Sequence, residues 1–337
     1  MFFRRCAYTG IFLIAFVLLF WMGNKPAPAV PPAGDSGVAA AENNPAPLCR
    51  EKAKVYFTKE ISPEAMLKLY NLVNHELTGR LAIKVHTGEP DGPNIIPRDM
   101  VKAITDNVPG SVIVETNVYY PSPRQTTKGH REVLQANGWT FASVDILDED
   151  GSIPLPVPNG KWFQEVAVGS HIANYDSLLV LTHFKGHAMG GFGGSLKNIA
   201  IGLASGAEGK RQMHSLGNDQ WGVREERFME HMAEGGKAVL TYFDGKIAFI
   251  NVLRRMSVDC DCAGISAAEP KVPDIGMLAS EDLLAIEQAS IDLVYALPEE
   301  ALADLRERIE SRKGLHQLEA MQALEMGCRE YELISLD

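Results

Sequence analysis

The chain has 337 residues, 46 % of them hydrophobic, enough to bury one large core or two smaller ones and too apolar for a disordered or collagen-like chain. Its formal charge is −11, and setting aside residues 1–48, with three basic and two acidic residues, leaves about −12 by the same count. A body this acidic, with no clustered Lys/Arg stripe, repels a phosphate backbone, so nucleic acid is not expected as a partner.

Arg4 and Arg5 precede an uncharged run from Ala7 to Gly23. A basic start followed by a long apolar stretch predicts an export signal, and the run is just long enough to serve as a membrane anchor if uncleaved. Residues 1–23 are therefore read as signal peptide or anchor, and 24–48, rich in Pro and Ala, as a semi-extended linker. The arginines favour an orientation that leaves the body outside the cytoplasm, periplasmic or otherwise extracytoplasmic, either secreted or anchored.

From Cys49 to Asp337 short apolar runs alternate with amphipathic stretches. AKVYF (53–57) reads as a strand, and Ser62-Pro63-Glu64 supplies a cap, a first-turn proline and an acid for a helix running towards Gly79. Strand LAIKV (81–85), helix PRDMVKAITD (97–106), strand SVIVE (111–115) and a helix through HREVLQAN (130–137) follow. DSLLVLTHF (176–184) has a continuous apolar run, the pattern of a strand buried on both faces. LKNIAIGLA (196–204) reads as a helix, and KIAFINV (246–252) and DIGMLAS (274–280) as strands. Helices at 282–297, 300–312 and 315–326 and a closing strand in REYELISL complete the pattern. Such alternation predicts an α/β fold, a mostly parallel sheet with flanking helices, and ligands at the carboxyl ends of strands.

Three polar clusters fall just beyond predicted strands. HFKGHAMGGFGGSLKN (183–198) holds His183, Lys185, His187, Gly190, Gly191, Gly193, Gly194 and Lys197. A strand, a glycine turn and a helix can point backbone N–H groups at an anion, so the glycines and Lys185 are candidate substrate contacts. The spacing matches neither a Walker loop nor a dinucleotide fingerprint. VDCDC (258–262) offers soft thiols beside hard carboxylates, which makes Cys260 and Cys262, with His183 and His187, candidate ligands of a transition-metal ion. KVHTGEP (84–90) contributes His86 and Glu89 as candidate proton-moving groups, with Lys197 as a third candidate catalytic residue. Plainer readings stand beside these: hydrogen-bonded loop histidines, buried small thiols, a simple turn at 86–90 and solvated lysines. His214 is a weak candidate, and His75, His130, His231 and His316 read as surface.

The stretches VYFTKEISPE, LAIKVHTGEP, VGSHIANYDSLLVLTHFKGHAMGGFGGSLKNIAIGLAS, VDCDC, VPDIGMLAS with AIEQASIDLV, and REYEL resemble the domain-of-unknown-function family 362, over about residues 54–336. The resemblance implies a fold and site positions but no reaction. Members are often called iron–sulfur center proteins because many carry a ferredoxin-like insert shortly after the segment matching RQMHS (211–215). This chain runs straight on to LGNDQWGVREERF, so no iron–sulfur cluster is expected from ferredoxin motifs. Cys328 stands where relatives usually carry serine, and in an exported protein a Cys49–Cys328 disulfide is chemically allowed.

The sequence therefore predicts an exported α/β protein, a metal-dependent enzyme for a small acidic substrate. The alternatives are a non-catalytic carrier of a small anion or cofactor, and a partner of a separate ferredoxin.

Overall fold

Four apolar runs that the sequence marks as strands lie side by side with one direction, and this alignment positions everything chemical in the molecule. The structure, a computed structural model, describes residues 51–337. The elements run β1 (Ala53–Thr58), α1 (Pro63–Val73), β2 (Leu81–Val85), α2 (Arg98–Asn107), β3 (Val112–Glu115), α3 (Thr127–Ala136), β4 (Val144–Ile146), β5 (Ser152–Pro156), β6 (Glu165–Gly169), β7 (Ser177–His183), β8 (Lys185–His187), β9 (Gly191–Gly193), α4 (Ser195–Leu203), α5 (Gly209–His214), α6 (Glu225–Phe243), β10 (Ile247–Leu253), β11 (Gly276–Ser280), α7 (Leu283–Tyr295), α8 (Glu299–Ser311), α9 (His316–Ala323) and β12 (Tyr331–Ser335).

An eight-stranded sheet has the order β12-β1-β11-β10-β7-β2-β3-β4. β10, β7, β2, β3 and β4 are parallel neighbours, β11 is antiparallel to both β10 and β1, and β12 is parallel to β1. This is the mostly parallel α/β fold that the sequence predicts. Strand β7 shows why a continuous apolar run suits its centre. Leu178 and Val180 face one core with residues of α4, α6 and α7, while Leu179 and Leu181 face the other with residues of α1 and α2. Successive side chains alternate between faces, so a strand covered on both needs apolar residues at every position.

Helix α1 begins as predicted, with the Ser62 side chain accepting from the Ala65 N–H and Pro63 in the first turn. It stops at Val73 rather than near Gly79, because residues 74–80 turn into β2 with Gly79 at φ +74°, pressed against Asp176. The sequence reading missed α6, a 19-residue helix, along with β4, β5 and β6. Gly235 and Gly236 interrupt the helical signal in α6, yet they lie against Met213 of α5 and Leu196 of α4, where larger residues would collide. The surface reading of His130 and His231 is overturned, since both are buried on the inner faces of α3 and α6. His231 packs 4.6 Å from Phe163 with both ring nitrogens bonded, and His130 serves the site below. The apolar run at 7–23, the linker and Cys49 lie outside the described residues. Among the described residues no helix is long and apolar enough to cross a membrane. Cys328 is disulfide-bonded and its sulfur lies 3.7 Å from the Glu51 carbonyl.

The glycines of 190–194 make close contacts within the protein. β8 and β9 form a hairpin with Lys185 opposite Gly193 and His187 opposite Gly191. Gly191, at φ +76°, lets the turn touch Gly314, whose Cα would lie 2.6 Å from an added Cβ. A Cβ on Gly194 would collide with the Glu287 carboxylate. That carboxylate, not a ligand, takes the first N–H of α4, from Ser195, and it is fully buried. The helix dipole therefore meets an internal acid.

Burial raises the Glu287 carboxyl from 4.5 to about 7, outweighing its bonds to Ser195 and Asn251, and its Oε2 has no partner among the described residues. Between those two values the unfolded chain has released the proton that the folded chain keeps, so stability falls as pH rises through this window. Glu287→Gln is expected to flatten that decline, on the order of 3 kcal/mol in all, in urea denaturation measured across it.

Candidate functional site

Because β2, β3, β7 and β10 are parallel, the segments that follow them emerge at one edge of the sheet. His86 and Glu89 follow β2, Glu115 ends β3, His183 ends β7, and the 254–262 segment follows β10. Of these, His86, Glu115 and Cys262 border a cavity of about 240 Å³. Its lining includes Lys84, Arg124, Lys185, Lys197 and Lys210, with Glu115 as the carboxylate among them. In a chain of net charge −11, the wall of this cavity is cationic.

Glu115 organises one side. Its Oε1 accepts from Arg124 Nη2 (2.8 Å) and from the Thr87 N–H (2.9 Å), and its Oε2 from Lys84 Nζ (2.8 Å). Burial alone would raise this carboxyl, but Lys84, Arg124 and His86 hold it well below the usual carboxylate range. Arg124, 1 % exposed, also donates through Nη1 to Glu89 Oε1 (3.0 Å) and through Nε to His130 Nε2 (3.1 Å). A guanidinium's fixed fork suits such a buried junction. His130 is kept neutral, its pKa lowered to about 3 by burial and then by Arg124. His86 Nδ1 lies 3.3 Å from Glu115 Oε1, and its Nε2 has no protein partner among the described residues. Burial lowers its pKa despite the Glu115 bond.

Sulfur chemistry occupies the other side. The donor atoms of His187, Cys260 and Cys262 lie within 4.8 Å of one another. Lys197 Nζ donates to Cys260 Sγ at 3.2 Å. A hydrogen bond from Cys262 is the main influence lowering Cys260 well below the usual thiol range; Lys197 and His187 add to it against burial. Cys262, the donor, is pushed well above that range by the same bond and by burial. Burial works to lower Lys197, but Cys260, Cys262 and Asp261 keep it charged and raise it. His187 Nδ1 accepts the Gly190 N–H at 2.8 Å, and burial followed by Lys197 lowers the ring to about 3.

Lys210 is different again. Its ammonium donates to three neutral oxygens, Thr116 Oγ1 (2.6 Å), Asn117 O (2.5 Å) and Ala204 O (2.8 Å). Burial brings it down to about 7, although Asp148 and Glu115 oppose the shift.

The structure brings together His86, Lys185, His187, Gly194, Lys197 and Cys262 on the cavity wall, with Cys260 directly behind. His183 is not among them as a ligand. The chain is extended from 183 to 187, and both its ring nitrogens are taken, Nδ1 by Asp261 (2.9 Å) and Nε2 by the Arg254 carbonyl (2.7 Å). Lys185 donates to the His183 carbonyl (2.6 Å) and pairs with Asp261 at 3.2 Å. Burial would raise Asp261, but His183 and Lys185 hold it well below the usual range. Glu89 lies behind the wall, accepting from Tyr120, Ser122 and Arg124, so it anchors Arg124 rather than facing the cavity. Gly190, Gly191 and Gly193 belong to the hairpin packing. Lys84, part of the KVHTGEP cluster but given no role there, and Glu115, which sequence reasoning missed, share a signal, a charge inside or ending an otherwise apolar parallel strand. Arg124, Lys210, Tyr119 and Trp221 sit in loops or short helices where sequence spacing does not show direction.

A family profile described as "Domain of unknown function (DUF362)" matches residues 81–292. Among curated proteins no sequence matches this chain. Among solved structures, the lactate racemase apoprotein from Thermoanaerobacterium thermosaccharolyticum is similar at 15 % identity with TM-score 0.37, over 60 % of this chain and 51 % of that one. A protein from Thermotoga maritima is similar at 10 % identity with TM-score 0.38, over 76 % of this chain and 59 % of that one. The chain thus spans between half and three-fifths of these two structures.

Removing the carboxylate from the buried network leaves Lys84 without its counter-charge, close to Arg124, which keeps Glu89. Glu115→Gln is therefore expected to destabilise folding by about 3–5 kcal/mol in urea denaturation, and Lys84→Met by less, because Arg124 still neutralises the carboxylate.

Proposed function

The chain belongs to the DUF362 family, and from that premise we propose that it is an exported, metal-dependent enzyme acting on a small acidic substrate. The observation that carries this reading is the grouping of His187, Cys260 and Cys262 at the wall of a cationic cavity. Two sulfurs and an imidazole form a soft donor set suited to zinc, nickel, copper or iron. When bound, the ion would supply Lewis-acid or redox capacity beside the substrate.

The protein's own groups have separable roles. Lys185 and Lys197 oppose the substrate's negative charge, while Arg124 and Lys84 keep Glu115 ionised and fix its direction. His86, fixed at Nδ1 by Glu115, presents the free Nε2 of a neutral ring and is the group to accept a proton from substrate. Export rests on the basic and apolar start of the sequence, and the disulfide at Cys328 supports it, since such bonds persist outside reducing compartments.

A second reading, a carrier that binds an acid without chemistry, is favoured by one feature. The Lys197–Cys260 pair is electrostatically complete without an ion, and His187 Nδ1 already accepts the Gly190 N–H. A metal-ligating histidine more often donates from its second nitrogen.

Elemental analysis of full-length protein purified with and without oxygen separates the two. The metal reading expects near-stoichiometric transition metal, lost in Cys260→Ser and in Cys262→Ser. Metal-free native protein, or content unchanged in both variants, contradicts it, and saturable acid binding without turnover would then establish the carrier.

A further inference from the structure

The cavity has a second character that charge alone does not explain. Beside Lys210 its wall is made by Tyr119, His214 and Trp221, with Val118 and Ile201 also in the lining. Tyr119 and His214 both meet the Trp221 indole, at centroid distances of 5.4 and 5.1 Å and interplanar angles of 62° and 83°. The rings are held in place from outside the cavity. The Tyr119 hydroxyl bonds Ser215 Oγ at 3.0 Å, and the Val223 N–H donates to the His214 carbonyl at 3.0 Å. The Trp221 backbone N–H donates to Asp219 Oδ1 at 3.0 Å. His214 Nδ1 donates to the Lys210 carbonyl at 2.7 Å, which leaves Nε2 as an acceptor with no protein partner among the described residues. Burial holds this ring near pKa 4, hence neutral.

The aromatic corner and the cationic wall share one cavity of about 240 Å³, a space open to one small molecule. A charged group alone would be served by the lysines and would leave three ordered rings facing water. Aromatic rings give a planar π-system an attraction beyond area burial, through stacked or edge-to-face contact. Resting on the reading of this cavity as an acid-binding site, we propose that the substrate is an aryl or heteroaryl acid, its ring against Trp221 and Tyr119 and its acidic group towards Lys197 and Lys185. The unpartnered His214 Nε2 accepts a hydrogen bond from a ring N–H or O–H substituent.

Benzoate and cyclohexanecarboxylate match in charge and heavy-atom count and differ in planarity and π-character. Titration calorimetry on the full chain is expected to show benzoate binding several-fold, up to about tenfold, more tightly. Trp221→Ala should abolish this preference and Trp221→Phe should keep it. Lys197→Met should weaken both acids alike. Equal binding of the two acids by the native protein overturns the aryl assignment while leaving the acid-binding reading intact. A preference that survives Trp221→Ala, or is lost equally in Trp221→Phe, also overturns it. If neither acid binds, both proposals fall.

Discussion

The buried carboxylate of Glu115 is the constraint on which the cavity depends. It ends β3, one strand in from the sheet edge, and without it buried Lys84 would lose its counter-charge while Arg124 kept Glu89. Desolvating a charge is costly unless an opposite charge and hydrogen bonds compensate. Glu115 provides both, and Glu89 and His130 take two further donors of Arg124. The result is a rigid electropositive wall assembled from strand ends that are far apart in sequence.

A parallel sheet makes this possible. Its strands deliver their carboxyl ends to one edge, where loops are free of the sheet's apolar alternation. The 183–198 segment exploits that edge by doubling back as a hairpin, with Lys185 and His187 on one strand. Glycines on the other strand let it nest against α8, α9 and Glu287. The cysteines arrive from the next parallel strand, β10, and meet His187 and Lys197 there. Polar clusters that look unrelated in sequence become neighbours for this topological reason.

Much of this organisation can be read from residue patterns, and the failures have identifiable causes. DSLLVLTHF reveals a doubly buried strand because positions 178–181 are apolar without a break, and Ser62-Pro63-Glu64 marks a helix start by its capping chemistry. Strand direction left no such trace: DIGMLAS looks like its parallel neighbours but runs antiparallel to them. The glycine run shows only that backbone comes close to something, not to what; in the fold Gly191 meets Gly314 and Gly194 meets Glu287. His183 and His187 are chemically equal in sequence; only three-dimensional placement shows that Asp261 and the Arg254 carbonyl consume the first. His130 and His231 were misjudged because polar neighbours along a helix say little about the face that packs inward.

The central claim is that this acidic protein encloses a site for an anion where the strand ends converge. Anomalous diffraction from crystals soaked in selenate tests it most directly. The account predicts a selenium peak inside the cavity, within hydrogen-bonding reach of Lys185, Lys197 or Arg124. Peaks confined to the outer surface, with the cavity free of the anion at saturating concentration, would contradict it.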